Sequence, residues 1–380
     1  MKISCLLFII FFITSCKSSD NEIIQIDLGK TAGHEITLSS LADEITYVPL
    51  DNSYTMSIYF QRTEIINDTI YLNEKDNGMF ALDKSGKMVR MYGKRGRGPG
   101  EYILGFRYAI DQDGRILYLL DKKKILKFSL DGSYLGDISL EKYPGHFSEI
   151  RFRDSKLVVF EYISFGEAVY DWIVIDTAGN LIKEKYNYVP SFKTNYGSPG
   201  GVYEYGDKIY YWNSINDTVF SISQDLNYQA SFLFEPSDLR SPKYDHTMEV
   251  DDFNRYINLS TVLESDSFII LRYFFEKSIM LFVDKSTGQL FKATWNINEG
   301  GLINDLDGGA SFEPKHYFKK EGREYLVGYT QATDIISRVH SDDFKNYTPK
   351  YPDGKEALKS LAENLKETDN TLLTIVRLKD

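Results

Sequence analysis

Residues 68–102, DTIYLNEKDNGMFALDKSGKMVRMYGKRGRGPGEY, decide how the rest of the chain is read. Three short runs rich in β-branched and aromatic residues, 69–73, 78–83 and 88–92, are separated by KDNG and KSGK. Asn and Gly in such breaks accept the positive φ that a tight hairpin requires. Three strands on two turns form a meander, which cannot cover its own faces and must stack on neighbours.

Loose copies of this unit follow. Residues 115–120, 125–130 and 134–140 repeat the order around Asp131-Gly132, and 156–163, 172–176 and 180–186 do so again. Residues 208–212, 218–223 and 228–234 make a fourth copy, and 267–273, 278–284 and 289–295 a fifth. Residues 324–330 with 334–340 open a sixth, which 371–378 completes. A ragged period of about 50 residues suits propeller blades better than a strict solenoid. The run EITYVPL at 44–50, like 22–28, reads as a strand outside the first unit, and TLLTIVRL at 371–378 offers a partner for it. Pairing the two ends closes the ring and removes its free edges. Residues 353–366 interrupt the β pattern. Ala357, Leu358, Leu361, Ala362 and Leu365 fall at helical spacing there, with Asp353 as N-cap, so a short amphipathic helix is expected against the last blade. Residues 236–258 read as a long polar excursion between blades.

The chain has 380 residues, 42% hydrophobic and 14% aromatic, enough for a sizeable core. A net charge of −11 excludes a broad phosphate-binding face, so no nucleic acid is expected as a partner. Residues 1–15 read as a cleavable signal peptide: Lys2 precedes an apolar run at 3–13 that is too short to span a bilayer. Ile13-Thr14-Ser15-Cys16 then resembles a bacterial lipoprotein lipobox, and that resemblance implies acylation of the Cys16 thiol. Residues 16–21 would be a polar lipidated tether and 22–380 a single propeller domain. Only Cys5 and Cys16 exist, so the mature body holds no thiol for a disulfide, a zinc site or nucleophilic catalysis.

The stretch GKRGRGPGEY at 93–102, INDLDGGASFEP at 303–314, EITYVPL and the final strand together resemble a known family. It is that of six-bladed β-propeller lipoproteins of gut-type bacteria, relatives of NHL-repeat propellers and mostly of unassigned activity. The resemblance implies an all-β ring of six blades. It leaves function open, since propellers host binding proteins and enzymes alike.

Three local constellations carry candidate chemistry. Lys94, Arg95 and Arg97 stand among glycines at 93–100, with Glu101 and Tyr102 following. Read functionally, this is an anion-attracting ligand rim at one mouth of the channel; read structurally, it is a tight blade-to-blade crossing. The Walker and dinucleotide-binding spacings are absent from it. Asp305 and Asp307 within NDLDGG place oxygen ligands close enough for Ca²⁺, or else cap a turn. Asp111-Gln112-Asp113-Gly114 reads as a turn before a strand. The five histidines share no i, i+4 spacing, and no GxSxG elbow occurs, so no catalytic residue and no resident cofactor is nominated. The expected protein is thus a non-catalytic lipoprotein, anchored in the cell envelope at the outer membrane. It would bind a glycan, a peptide or an envelope protein at one mouth of the channel. The alternative is a propeller hydrolase or lyase acting on a glycan or peptide through an axial acidic or metal site.

Overall fold

The computed structural model describes residues 23–29, 34–56, 60–74, 78–105, 107–163, 166–191, 200–213, 217–235, 239, 255–293 and 301–379. Its strands form six antiparallel blades. Blade 1 contains Phe60–Ile66, Thr69–Glu74, Gly78–Asp83 and Met88–Tyr92, and blade 2 contains Arg107–Asp111, Ile116–Asp121, Lys124–Ser129 and Tyr134–Ser139. Blade 3 runs from Phe147–Arg153 through Lys156–Glu161 and Tyr170–Asp176 to Leu181–Tyr186. Blade 4 comprises Gly200–Tyr205, Lys208–Asn213, Thr218–Ile222 and Tyr228–Phe234; blade 5 comprises Asn258–Glu264, Phe268–Phe275, Lys277–Asp284 and Leu290–Ala293. Blade 6 takes His316–Lys320, Arg323–Thr330 and Leu372–Leu378 from the end of the chain and Ala42–Pro49 from its beginning.

The second and third strands are apolar on both faces. Leu72, Phe80, Leu119, Leu126, Val159 and Ile173 are fully buried, each favouring folding by about 1.5–3 kcal/mol. Their side chains meet those of the next blade, and one apolar cluster fills each of the six interfaces, including that between blades 6 and 1. The ring is closed by register: Leu372 faces Pro49, Thr374 faces Tyr47 and Val376 faces Ile45. Beside this seam the Asn370 carboxamide accepts from the Met56 N–H at 2.9 Å and donates to the carbonyls of Asp51 and Tyr54 at 2.7 and 2.6 Å.

The structure departs from the sequence reading in three places. Every blade has an additional innermost strand, which the three-run unit lacks. Residues 334–340 lie in the helix Ala332–His340, not in a strand. Ala332, Ile335, Ile336 and Val339 recur at the i, i+3, i+4, i+7 spacing that fits a helix, and Ala332 and Ile335 are buried. The later helix is Pro352–Asn364, with Tyr351 at the cap and Pro352 in the first turn, where its missing N–H has no bond to lose. Asp353 is therefore inside the helix. Together with Asp342–Asn346 these helices pack Ile335, Phe344, Leu358 and Ala362 into a satellite core against blade 6. The N-terminal strands Ile24–Ile26 and His34–Ile36 pair in parallel with the outermost strands of blades 4 and 5, covering edges that would otherwise be free. Residues 1–22, with Cys16, and nearly all of the 236–258 excursion lie outside the described residues.

Candidate functional site: the axial cavity

The innermost strands surround a cavity of about 660 Å³ on the ring axis. These strands alternate differently from the others. In QRTEII and SEIRFR, charged residues recur two apart, which places them on one face of a strand. Arg62 and Glu64 from blade 1, Arg107 from blade 2, Glu149 and Arg151 from blade 3 and Glu204 from blade 4 all reach the cavity.

Glu149 is the buried centre of this group, its side chain only 7% exposed. It receives Arg151 Nη1 at 2.6 Å, Arg107 Nε at 2.9 Å and, further off, Arg62 Nη1 at 3.8 Å. Burial pushes its carboxyl up, but Arg151, Arg107 and Arg62 together outweigh that and hold it below the usual carboxylate range. Arg62 also pairs with Glu64 at 2.5 Å, donates to the carbonyls of Tyr108 and Ile150, and lies over the Tyr108 ring. Burial raises the Glu64 carboxyl despite the Arg62 charge beside it. Glu204 is held more loosely: 37% exposed, it faces Arg151 Nε at 3.2 Å, Arg153 Nη2 at 3.4 Å and Arg62 Nη2 at 3.7 Å.

Across the cavity, His316 Nε2 and the Tyr329 hydroxyl lie 2.8 Å apart, and that hydroxyl is 2.6 Å from Thr63 Oγ1. Burial drives the His316 pKa down to about 3, helped by Arg62, Lys315, Arg107 and Arg151. After burial, the largest charge effects on this imidazole come from these cations, although Glu64, Glu149, Glu204, Glu264 and Asp266 line the same cavity. Aromatic rings complete the wall: Tyr162, Tyr203, Tyr205, Trp212, Tyr317 and Phe318. Gly200 and Gly201 open the blade 4 inner strand because a Cβ would lie 2.9 Å from the Tyr162 ring at the first and 2.4 Å from Trp212 at the second.

The residues singled out from sequence lie elsewhere. None of Lys94, Arg95, Arg97, Glu101 and Tyr102 borders the axial cavity. Lys94–Arg95 and Glu101–Tyr102 form a small parallel pair, with Lys94 Nζ 3.3 Å from Glu101 and the Gly98 N–H donating to Glu101 at 2.8 Å. Tyr102 is buried, its ring close to Gly93 and its hydroxyl against Gly78. Asp305 accepts from the Ser39 N–H, Ser39 Oγ and Thr37 Oγ1 at 2.6–2.7 Å. Asp307 accepts from Asn304 and the Gly309 N–H at 2.6 and 2.8 Å, and Tyr47 approaches it at 3.4 Å. These carboxylates knot the N-terminal segment and the closing strand to the loop before blade 6. Among the described residues, no group of three or more His, Cys, Asp or Glu side chains is arranged to hold a metal ion. In the Asp111 turn, that carboxylate accepts from the Gly114 N–H at 2.8 Å.

Ring, closure and wall define a six-bladed β-propeller with a charged and aromatic axial cavity. The chain belongs to the family described as Domain of unknown function (DUF4934), whose model matches residues 23–377. It is similar to a crystal structure from Bacteroides fragilis NCTC 9343 of a protein whose name marks it provisionally as exported. The TM-score is 0.65 at 19% identity, over 94% of this chain and 100% of that one. A member of the DUF4221 family from Bacteroides vulgatus aligns with a TM-score of 0.53 at 10% identity, over 89% of this chain and 97% of that one. At such identities the likeness is one of fold. No curated protein matches.

Proposed function

We propose that this protein is a lipid-anchored binding protein of the cell envelope, held at the outer membrane, whose ligand enters the axial cavity. The observation that carries the reading is the convergence of ten charged side chains, drawn from all six blades, with aromatic rings, on one cavity. Its volume of about 660 Å³ lies within the range of small-molecule sites, roughly 300–1,000 Å³. A glycan or peptide fragment suits such a wall, because rings take its apolar faces while guanidiniums and carboxylates fix its polar groups. The anchor rests on the Ile13-Thr14-Ser15-Cys16 sequence, and the provisional name of the B. fragilis neighbour, an exported protein, agrees with a location outside the cytoplasm.

A panel of glycans and peptides tests this reading. Ligands that raise the melting temperature should also change tryptophan emission, and the change should vanish in Trp212→Phe. A stabilising ligand that leaves Trp212 unaffected contradicts an axial site. For the anchor, metabolic labelling with a fatty acid should mark the wild type and not Cys16→Ala.

A hydrolase or lyase has one observation in its favour. Glu64 and Glu149 share the cavity, yet the first is pushed up and the second held down, the separation that general acid and base roles use. Turnover of any panel member that is lost in Glu64→Gln would favour this reading over simple binding.

A further inference from the structure

We infer that the axial cavity recognises acidic sugars, and that the Glu204 carboxylate occupies the place where the sugar's carboxylate binds. This rests on the axial cavity being the binding site and adds the class of ligand.

The two carboxylates that share Arg62 and Arg151 differ in kind. Glu149 is buried, with contacts of 2.6 and 2.9 Å, and its removal would leave guanidiniums uncompensated. Glu204 is 37% exposed and has no ion pair under 3.2 Å, although three guanidiniums face it. A carboxylate between Arg fingers at such distances has not formed the short, forked pairs that this chemistry allows, about 2.7–2.9 Å. An incoming carboxylate that pairs more closely with Arg151 in the cavity wall, and with Arg153 just behind it, can displace Glu204 towards solvent. The site is already shaped for a carboxylate, since it holds one.

The surroundings select for a sugar. Tyr162 and Trp212 lie against Gly200 and Gly201, on the strand that ends in Glu204 and Tyr205, and both rings line the cavity. A pyranose presents a C–H face for such rings and its charge at the ring's edge, so one sugar can meet ring and guanidinium together. Charge selection is local to this corner: Arg62, Arg151 and Arg153 converge on the one carboxylate of Glu204, while the other cavity acids Glu264 and Asp266 pair with Lys285 and Lys319.

Calorimetry on the purified chain tests the inference with short oligomers of galacturonate and of glucuronate, each beside its methyl ester. The ester keeps the ring and loses the charge. At least one acid should bind about tenfold more tightly than its ester, and more weakly as salt rises. Glu204→Gln, which removes the competing charge, should tighten binding of that acid about tenfold, whereas Arg153→Gln should weaken it. Equal binding of acid and ester overturns the inference, as does a Glu204→Gln variant that binds no more tightly, or no binding of either acid. Trp212 emission separates this failure from that of the cavity. Equal binding with a Trp212 response keeps the axial site and removes only the charge requirement. Binding without that response removes the site itself.

Discussion

The crossing at residues 93–102 and the axial cluster use the same residue types to opposite ends. In the crossing, three cations stand within four positions, but Glu101 takes up Lys94 and a backbone N–H, and Gly93 packs directly on Tyr102. At the axis, cations arrive at most two per blade, from positions as far apart as 62 and 319, and meet over a cavity. Local density of charge therefore marks a turn here. Convergence of charge from distant strands marks the candidate site.

Four perturbations bear on that contrast, from the largest effect to the smallest. Ending the chain before Leu372 removes the strand that pairs with Ala42–Pro49, leaves blade 6 open, and should abolish cooperative unfolding in a thermal melt. A melt that stays cooperative would mean that the ring does not depend on its seam.

Glu149→Gln leaves three guanidiniums facing a buried neutral group and should cost about 3–5 kcal/mol by urea denaturation. Glu101→Gln, a half-buried acid in the crossing with a single cation near it, should cost far less. Equal losses would erase the distinction between the two regions.

His316 gives a pH signature. Its folded pKa of about 3 is depressed from the ordinary 6.5, so between these values the unfolded chain binds the proton and the folded one does not. Stability should therefore fall as pH drops from about 6.5 towards 3, with a slope from this group of at most about 1.4 kcal/mol per unit. His316→Gln should remove that part of the slope in denaturation curves taken across the window, while its neighbours' slopes remain. An unchanged profile would mean that the imidazole is not held neutral by burial beside these cations.

Gly93→Ala sharpens the reading of the crossing. Gly93 has φ +67°, and a Cβ there would lie 2.7 Å from the Gly100 carbonyl oxygen. The variant should lose about 1–3 kcal/mol, read as a lower urea midpoint, with ligand affinity at the axis unaltered. Altered affinity would bring the crossing back into the site.

The fold was legible because the second and third strands of each blade bury both faces, as in IYLNE and GMFALD, and carry apolar runs bounded by turn residues. The inner strands hid for a physical reason. With one face turned to the cavity, QRTEII and SEIRFR alternate charge with apolar residues and lack such runs. That same i, i+2 alternation just upstream of a meander was the available signal for Arg62, Glu64, Glu149 and Arg151. Arg107, Glu204 and His316 carry no local signal, because only closure of the ring brings their strands together. The NDLDGG motif shows the converse: its carboxylates were visible, but their partners Ser39 and Tyr47 lie 266 and 260 positions away. The helix Ala332–His340 was missed because its β-branched residues look like strand when their spacing is ignored.

The most direct measurement is a crystal structure of the protein with a bound uronate oligosaccharide. The account predicts the sugar on the ring axis, its carboxylate against Arg151 and Arg153, Glu204 swung aside, and a pyranose face on Tyr162 or Trp212. A sugar seated over residues 93–102, or one on the axis with Glu204 still between the guanidiniums and the carboxylate turned to solvent, would contradict it.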